Sequence, residues 1–600
     1  MISPMVNFTF LVFHAQYEKF LEDLQRMGTV HVKARPVESL QKGLPALEED
    51  YKAISGALND LNKRAVKAHP SKSPLSWEKI LEEYNTCNRN IVEFDREKKE
   101  LEITAVHVSV WGEFSLNSIN KLEKSGIPIG FFRIKENKFD RSWLEKYPIE
   151  IINHIGSSIY FVYFGTDQEL LPHVHKLEHP TAEGAEINKR MAELEKKISQ
   201  NEEKLNALAE SGTAVLNEKL QEFGTKIDFL KVLNDHTLSH GEGKVKVLEG
   251  WVPETKQQSL IEYLDVNGIL YTSQYATGEP DTPVQLVNSK FGTLFEPIGK
   301  LFSLPSYMEL DLTIYFAPFF MLFFGFCLGD GGYGIVMFLA ATIYKRKVSA
   351  DMKPYLTLVQ YFGLSTLVMG IIFGNFFGVE LGKLSFLASF KPYFLDSNKV
   401  FYLSLILGGI QILFGLCLKI VNQVKKDGFK YGLGTIGWLI LIFNLLGFFI
   451  LEKYSGPLSP AIGLVKKGIT IAAFILILFF TDPGLKIHLR FFSGLWGIYN
   501  TVMGIFGDML SYIRLFALGI SSSILGMVVN QMALSFSEIK FIGPVIFILV
   551  VVVGHTANLA ISSLSSFVHP LRLTLVEFYK NAGFTGGGRQ YNPFSKYKSI

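Results

Sequence analysis

The chain has 600 residues, 48% of them hydrophobic and 19% charged, with a formal net charge of +3 and three cysteines. Its near-neutral balance argues against nucleic acid binding, and Cys87, Cys327 and Cys417 stand too far apart for a paired-cysteine metal site or a disulfide framework. The averages blend a polar first half with an apolar second half, which reads as a soluble region in a reducing compartment followed by a membrane region.

Residues 4 to 34 read as strand, helix and strand, with NFTFLVF, then YEKFLEDLQRMG ending at Gly28, then TVHVK. The opening MVNFTFLVFHA is too short to span a bilayer and lacks a basic lead-in and a small-residue cleavage site, so it is expected to be a strand and not a signal peptide. From about Leu40 to Val108 a charged helical pattern runs on, broken by a Pro and Ser cluster at residues 70 to 74. IPIGFFRI and SIYFVYFG then read as strands around WLEKYP, and a second long charged helix returns from EINKRMAELEKK to FLKVL. VKVLEGWVP, a helical QQSLIEYLDVNG and ILYTSQYA complete a second α/β lobe that borrows the beginning of the chain. The expected fold of residues 1–305 is therefore N-terminal α/β lobes joined by long antiparallel coiled-coil helices, a dumbbell.

Nothing in this half points to catalysis: the chain contains no G-x-x-x-x-G-K-[ST] loop and no H-E-x-x-H. Gly432, Gly434 and Gly437 fit G-x-G-x-x-G, but they open an apolar run with no strand before them, so the match is a decoy. Gly370, Gly374 and Gly378, four residues apart, read as a close helix-packing face.

From residue 306 onward an all-α polytopic membrane domain of about eight helices is expected, the last two long and tilted. Leu312 to Tyr344 is too long for one crossing and is punctuated by Gly329, Asp330, Gly331 and Gly332, which predicts a tight hairpin of two short helices with Asp330 as a turn residue. Further crossings are expected at about 355–378, 401–421, 432–451 and 463–480. Eight crossings leave both ends on one side, and the loops on that side are the more basic: they hold Lys345, Arg346, Lys347, Lys425, Lys426, Lys430, Lys486 and Arg490, with Lys580, Arg589 and Lys598 in the tail. The opposite loops hold fewer cations, Lys540 among them, which predicts a cytoplasmic N-terminal half and C-terminus.

Residues 495–580 carry the chemistry. In the last segment His555, Asn558, Ser562, Ser565, His569 and Arg572 recur at alternating three- and four-residue steps, one polar stripe on an apolar rod. The segment before it sets Asn500, Asp508, Ser511, Arg514, Ser521 and Ser522 among apolar residues, and ionisable groups at such depth mark pathways. Arg514 has apolar sequence on both sides. Arg572 is either functional or a snorkelling anchor, because a helix over 541–580 would be roughly 60 Å long, about twice the hydrocarbon thickness. Pro570 predicts a kink beside it. Asp508 either lines a path or pairs with a cation of another helix, His555 is either a relay or a hydrogen-bonded core histidine, and Glu577 is placed at the cytoplasmic boundary.

Several stretches resemble subunit a, or subunit I, of the rotary V-type and A-type ATPases: LQRMGTVHV, VLEGWVP, PVQLVNSKFGTLFEPI, LPSYMELDLT, FGFCLGDGGYG, GDMLSYIRLFALGISS and SFVHPLRLTLVEFYKNAGFTGGGRQYNPF. The resemblance covers essentially the whole chain, and the length suits the bacterial and archaeal branch. It implies a stator in the cell membrane that is not itself an enzyme and carries no cofactor. The implied translocated ion is H+ or Na+. The implied partners are a proteolipid ring, peripheral stalk subunits of the E/G type, a central-stalk socket subunit of the d/C type and the lipid membrane. Arg514 matches the family's essential arginine and Arg572 its second one. Asp508, Ser511, Asn500, His555, Asn558, Ser562, His569 and Glu577 become half-channel candidates. Ser562 and Ser522 depart from the eukaryotic pattern, which has a glutamate and a histidine there. A secondary ion transporter with a docking domain is the alternative, although no internal repeat supports it.

Overall fold

The computed structural model describes residues 1–33, 44–64, 75–165, 174–180, 182–235, 237–240, 244–383, 391–392, 394–456, 459–537 and 541–596. The break expected at 70–74, the helix start at Leu40, and Lys540 and Lys598 lie outside the described residues. The chain divides into two compact units: Met1–Phe20, Thr29–Ala34 and Thr237–Phe594 form one, and Leu21–Gly28, Arg35–His236 and Ser595–Ile600 the other.

The chain opens as expected, with β1 (Met5–Phe13), α1 (Tyr17–Met27) and β2 (His31–Val32). Gly28 ends α1 at φ +59°, a left-handed conformation that glycine adopts without cost.

In the unit built mainly from residues 35–236, α2 (Leu44–Arg64) and α3 (Trp77–Ser109) lead outward, and α6 (Gly184–Ser211) and α7 (Thr213–Asp235) return. The return is antiparallel: Lys98 Nζ lies 2.8 Å from Glu195, Arg190 3.1 Å from Glu97, and Lys231 2.8 Å from Glu48. Ile54, Leu61, Ile80, Leu205 and Leu216 form the dry seam that holds the helices together, since the exposed ion pairs along them contribute little. Between the two arms lie α4 (Leu116–Lys124), β3 (Ile129–Lys135), α5 (Trp143–Lys146), β4 (Ile149–Ile155), β5 (Ser158–Phe164) and β6 (His175–Leu177). Their antiparallel sheet, in the order β4-β5-β3-β6, packs Phe132, Ile134, Phe161 and Tyr163 into a small core.

In the other unit, β7 (Thr237–His240), β8 (Val245–Pro253), α8 (Glu254–Val266) and β9 (Leu270–Tyr275) complete the first sheet. β1 lies at its centre, antiparallel to β8 from Met5↔Pro253 to Phe13↔Val245 and to β9 from Val6↔Tyr275 to Leu11↔Leu270. Phe8, Phe10 and Val12 point inward at alternate positions, as a half-buried strand requires. The lobe does borrow the chain's beginning. β10 (Pro283–Val284) and α9 (Lys290–Lys300) lead to the apolar region.

There two short apolar helices, α10 (Thr313–Leu328) and α11 (Gly331–Tyr344), precede six long ones. The long ones are α12 (Lys353–Phe373), α13 (Ser397–Asp427), α14 (Phe429–Ser455), α15 (Pro460–Phe480), α16 (Ile487–Ser537) and α17 (Gly543–Arg572). The last continues through a π-helical turn, Leu573–Phe578, into α18 (Tyr579–Asn581). All six meet the length and hydropathy of a membrane span.

The short pair is a reversal but not a tight hairpin, because both helices pack on α12 and not along each other. Phe324 of α10 stacks on Phe362, and a Cβ on Gly370 would lie 2.0 Å from the amide nitrogen of Gly331 in α11. Only Gly370 of the expected glycine face therefore packs helix on helix. Gly374 instead ends α12 at φ +69°, and Gly378 sits at φ +68° in the turn between β11 (Asn375–Phe376) and β12 (Val379–Glu380). Asp330 caps α11 and binds this turn as well: its fully buried carboxylate accepts from the amides of Gly332, Tyr333, Phe377 and Gly378. Gly434 and Gly437 press α14 against α15, which removes any reading of them as a nucleotide loop.

After α18 the chain turns back to the sheet lobe, where β13 (Arg589–Gln590) pairs in parallel with β10 and Tyr591 joins Met5 and Trp251 in a small core.

Candidate functional site

α16 has 51 residues, about 75 Å at 1.5 Å per residue, so it crosses a bilayer obliquely or projects from it. It packs along α17, and these two helices bring the sequence candidates together. Arg514 is half-buried near the middle of α16, and its buried Nη1 has no hydrogen-bond partner among the described residues. An arginine is not left so in a finished core, because an uncompensated buried charge costs several kcal/mol. His569 of α17 lies where the charges of both Arg514 and Arg572 act on its ring.

Arg572 is 59% exposed, while Glu577, its partner at 4.0 Å, is 4% exposed. Five residues along an α-helix point about 140° apart and cannot pair, whereas a π turn, closing i to i+5, brings them near one side. The turn Leu573–Phe578 follows Pro570, which has no N–H for the carbonyl of residue 566. The proline thus produces a change of helical phase that lets Arg572 reach Glu577 and turns Thr574 and Glu577 inward. Thr574 Oγ1 and Glu577 Oε2 are buried without partners among the described residues, and so is Gln411 Nε2 of α13, whose Oε1 accepts from the Tyr512 hydroxyl at 2.7 Å. Orphaned polar atoms in one region of a bundle are what internal water or a passing ion satisfies.

Asp508 is paired: Lys580 Nζ lies 3.2 Å from Oδ1, and Asn581 donates to Oδ2 at 2.7 Å. Ser511 bonds back to the carbonyl of Gly507 at 3.3 Å, and Asn500 is exposed.

The upper part of the stripe is turned inward and satisfied. Ser562 donates to Asn558 Oδ1 (2.9 Å), and Asn558 donates to the Tyr333 hydroxyl (2.8 Å) and to the carbonyl of Ser522 (3.1 Å). Tyr333 bonds His555 Nδ1 (2.7 Å), and His555 Nε2 bonds Asn530 Oδ1 (3.0 Å). Two amides bracket the tyrosine and histidine, and an amide does not pass a proton on. The network locks α11, α16 and α17 together, and the half-buried His555 is hydrogen-bonded at both ring nitrogens. We expect Tyr333→Phe to lower the stability of the solubilised protein by about 1–3 kcal/mol while ion movement stays near native. Collapse of ion movement at native stability would make the network a conduit.

Beside this lock a cavity of about 420 Å³ is lined by Asn375, Glu380, Lys383, Asp396, Gly519 and Ser523, among others. It reaches the face of α16 from Gly519 to Met527, about one and a half to three and a half turns beyond Arg514. Sequence reasoning missed Tyr333, Gln411, Tyr512 and Thr574; only the apolar setting of a lone glutamine at 411 could have signalled one of them.

Residues 153–380 match the V-type ATPase 116kDa subunit family. The chain is 26% identical over 617 residues to the V-type ATP synthase subunit I of Borreliella burgdorferi, an alignment that covers 100% of both chains. It is 30% identical over 403 residues to the A-type ATP synthase subunit I of Methanothermobacter thermautotrophicus, covering 65% of this chain and 56% of that one. With the A-type ATP synthase subunit I of Methanocaldococcus jannaschii the identity is 27% over 642 residues, covering 97% and 87%. A crystal structure of the cytoplasmic N-terminal domain of subunit I, homolog of subunit a, of V-ATPase overlaps 45% of this chain and 100% of its own, at 14% identity and a TM-score of 0.23, too low to say how elements are arranged.

Proposed function

Because the chain belongs to the V-type ATPase 116 kDa subunit family, alongside the subunit I proteins of bacteria and archaea, we propose that it is the membrane stator of a rotary ATPase, with the two ion half-channels on its last two long helices. It is a non-catalytic membrane subunit of that complex. In this reading residues 1–305 form the cytoplasmic dumbbell that binds the E/G-type peripheral stalks and the d/C-type socket. Residues 306–600 cross the cell membrane eight times, α10 and α11 included, with both ends cytoplasmic. The exposed faces of α16 and α17 meet the proteolipid ring.

The observation that carries the reading is Arg514, half-buried on α16 with one guanidinium nitrogen unpaired among the described residues. A ring carboxylate is neutral, by proton or Na+, while it faces lipid, because a bare charge there costs several kcal/mol. Beside Arg514 the ionised form finds a permanent positive partner, so its pKa falls and the ion leaves. The same charge repels cations and keeps the two access routes apart. On the inner side Gln411, Thr574, Glu577 and the Asp508–Lys580 pair offer polar access; on the outer side the cavity at Glu380 and Ser523 does. His569 lies between the two arginines. Arg572, 4.0 Å from Glu577, is in this reading the second arginine of the path.

The test is ATP-driven ion uptake by vesicles holding the native complex, with and without sodium and a protonophore. Uptake that a protonophore abolishes names H+, and uptake that requires sodium and survives the protonophore names Na+. An assembled complex that hydrolyses ATP without moving either ion ends the reading.

A further inference from the structure

Glu309 is a carboxylate with 1% exposure just before the first membrane helix. Its oxygens accept from the backbone amides of Thr585 (3.0 Å), Gly586 (3.1 Å) and Ser306 (3.1 Å) and from the Thr585 hydroxyl, with Lys426 Nζ at 3.9 Å. Four donors converge on one side chain, and two of the three backbone amides among them lie in the turn that follows the last helix. Asn422 of α13 reinforces the joint by accepting from the amide of Leu310 (2.8 Å) and donating to the carbonyl of Ala582 (3.3 Å). The backbones touch here: a Cβ on Gly588 would lie 1.9 Å from the Pro305 carbonyl oxygen.

Beyond this joint the tail is fastened along its length to the sheet lobe. β13 pairs with β10, Arg589 meets Asp281 at 2.9 Å, the Tyr591 hydroxyl donates to the carbonyl of Thr29 at 2.6 Å, and the amide of Phe594 donates to the carbonyl of Val30 at 2.7 Å. The tail begins two residues after α18, and α18 continues the π turn that sets Arg572 against Glu577.

We propose that residues 583–594 are a strap, and that Glu309 is its positioning residue, holding the inner end of α17 fixed against the sheet lobe so that Arg572 and Glu577 do not move with the ring. The inference rests on the proposed function and adds a mechanical requirement to it. Each passing carboxylate pairs with the stator and must be pulled away at the next step. A helix end free to follow lets it pass without exchanging its ion, and ATP is then spent without transport. Hydrogen bonds from four donors to a buried carboxylate resist that pull better than neutral ones, since charge-assisted bonds are about twice as strong.

The experiment measures ions moved per ATP hydrolysed in vesicles for Glu309→Gln, for a chain ended after Gly587, and for Arg514→Gln as the control on the reading itself. Glutamine keeps the shape but presents an amide group to amide donors. In assembled complexes both strap variants are expected to hydrolyse ATP at the native rate while ions per ATP fall severalfold. Oxidising an Asp281→Cys, Arg589→Cys pair in the Glu309→Gln chain, with Cys417→Ser removing the exposed thiol, is expected to restore the ratio, which a folding role alone would not allow. A native ratio in both variants, or failure of both to assemble where the native chain does, overturns the strap and leaves the half-channel reading standing. Native transport by Arg514→Gln overturns the reading.

Discussion

Arg514→Gln is expected to bring ATP-driven ion uptake down by about a hundredfold or more, to the level of empty vesicles, in complexes that assemble as the native ones do. Glutamine retains the polarity and most of the length but not the charge. The buried Nη1 of this half-buried residue makes no hydrogen bond among the described residues, so the substitution removes little that holds them together. In the proposed mechanism what disappears is a fixed positive charge for a ring carboxylate that has to ionise in a poor dielectric, where one such partner shifts a pKa by one to three units or so. Arg514→Lys is the stricter comparison: it keeps the charge, yet a buried ammonium can lose its proton and lacks the planar fork, so it is expected to fall near glutamine and not near arginine. Uptake is read as initial rate per assembled complex, with assembly measured on the same vesicles. An unchanged rate would make Arg514 a structural anchor.

Asp330→Ala acts on the fold and not on the path, and its effect is expected to be as complete. The buried carboxylate holds the start of α11 and the turn after α12 together through four amides, three of them in buried hydrogen bonds and that of Phe377 in a part-buried one. Removing it leaves these four N–H groups without their acceptor, and at roughly 1–3 kcal/mol for each orphaned buried group the loss rivals the whole stability of a domain. The expected result is little or no assembled protein in the membrane, measured by detergent extraction and size-exclusion profile. Asp330→Asn is expected to be partly tolerated, since an amide oxygen in the place of Oδ1 still accepts from Gly332, Tyr333 and Phe377 and only the Gly378 amide loses its acceptor. Native yield with alanine would mean that the two turns hold without their clamp.

The alternation in β1, the returning charged helices and the long apolar runs were legible because each is a local pattern repeated over many residues, and burial enforces such patterns. The sequence showed Arg514 and Arg572 for the opposite reason, as breaks in a pattern. Asp508 could be read either as a path residue or as a partner of a distant cation; its contact with Lys580, 72 positions away, is one that no local pattern reports. Tyr333 and His555 are likewise 222 residues apart, and a tyrosine after GDGG looks the same whether or not a histidine waits for its hydroxyl. The short strands β4 and β6 were missed since neither IEIINHI nor HKL alternates cleanly. The packing of α10 and α11 on α12 was hidden because it depends on Gly331 and Gly370 meeting backbone to backbone. Pro570 did announce an irregularity, but a proline says only that an α-helical bond is missing, not that the helix will respond by widening.

The π turn at Leu573–Phe578 amounts to one surplus residue carried in the last helix. Upstream of it the helix keeps one angular setting, with Arg572 exposed and His569 half-buried; downstream it keeps another, in which Phe578 and Tyr579 are packed inside. The two stretches are like sections of a shaft joined by a keyed coupling. The contacts that anchor the inner section and the contacts that face the partner can therefore change independently, provided that the surplus residue stays.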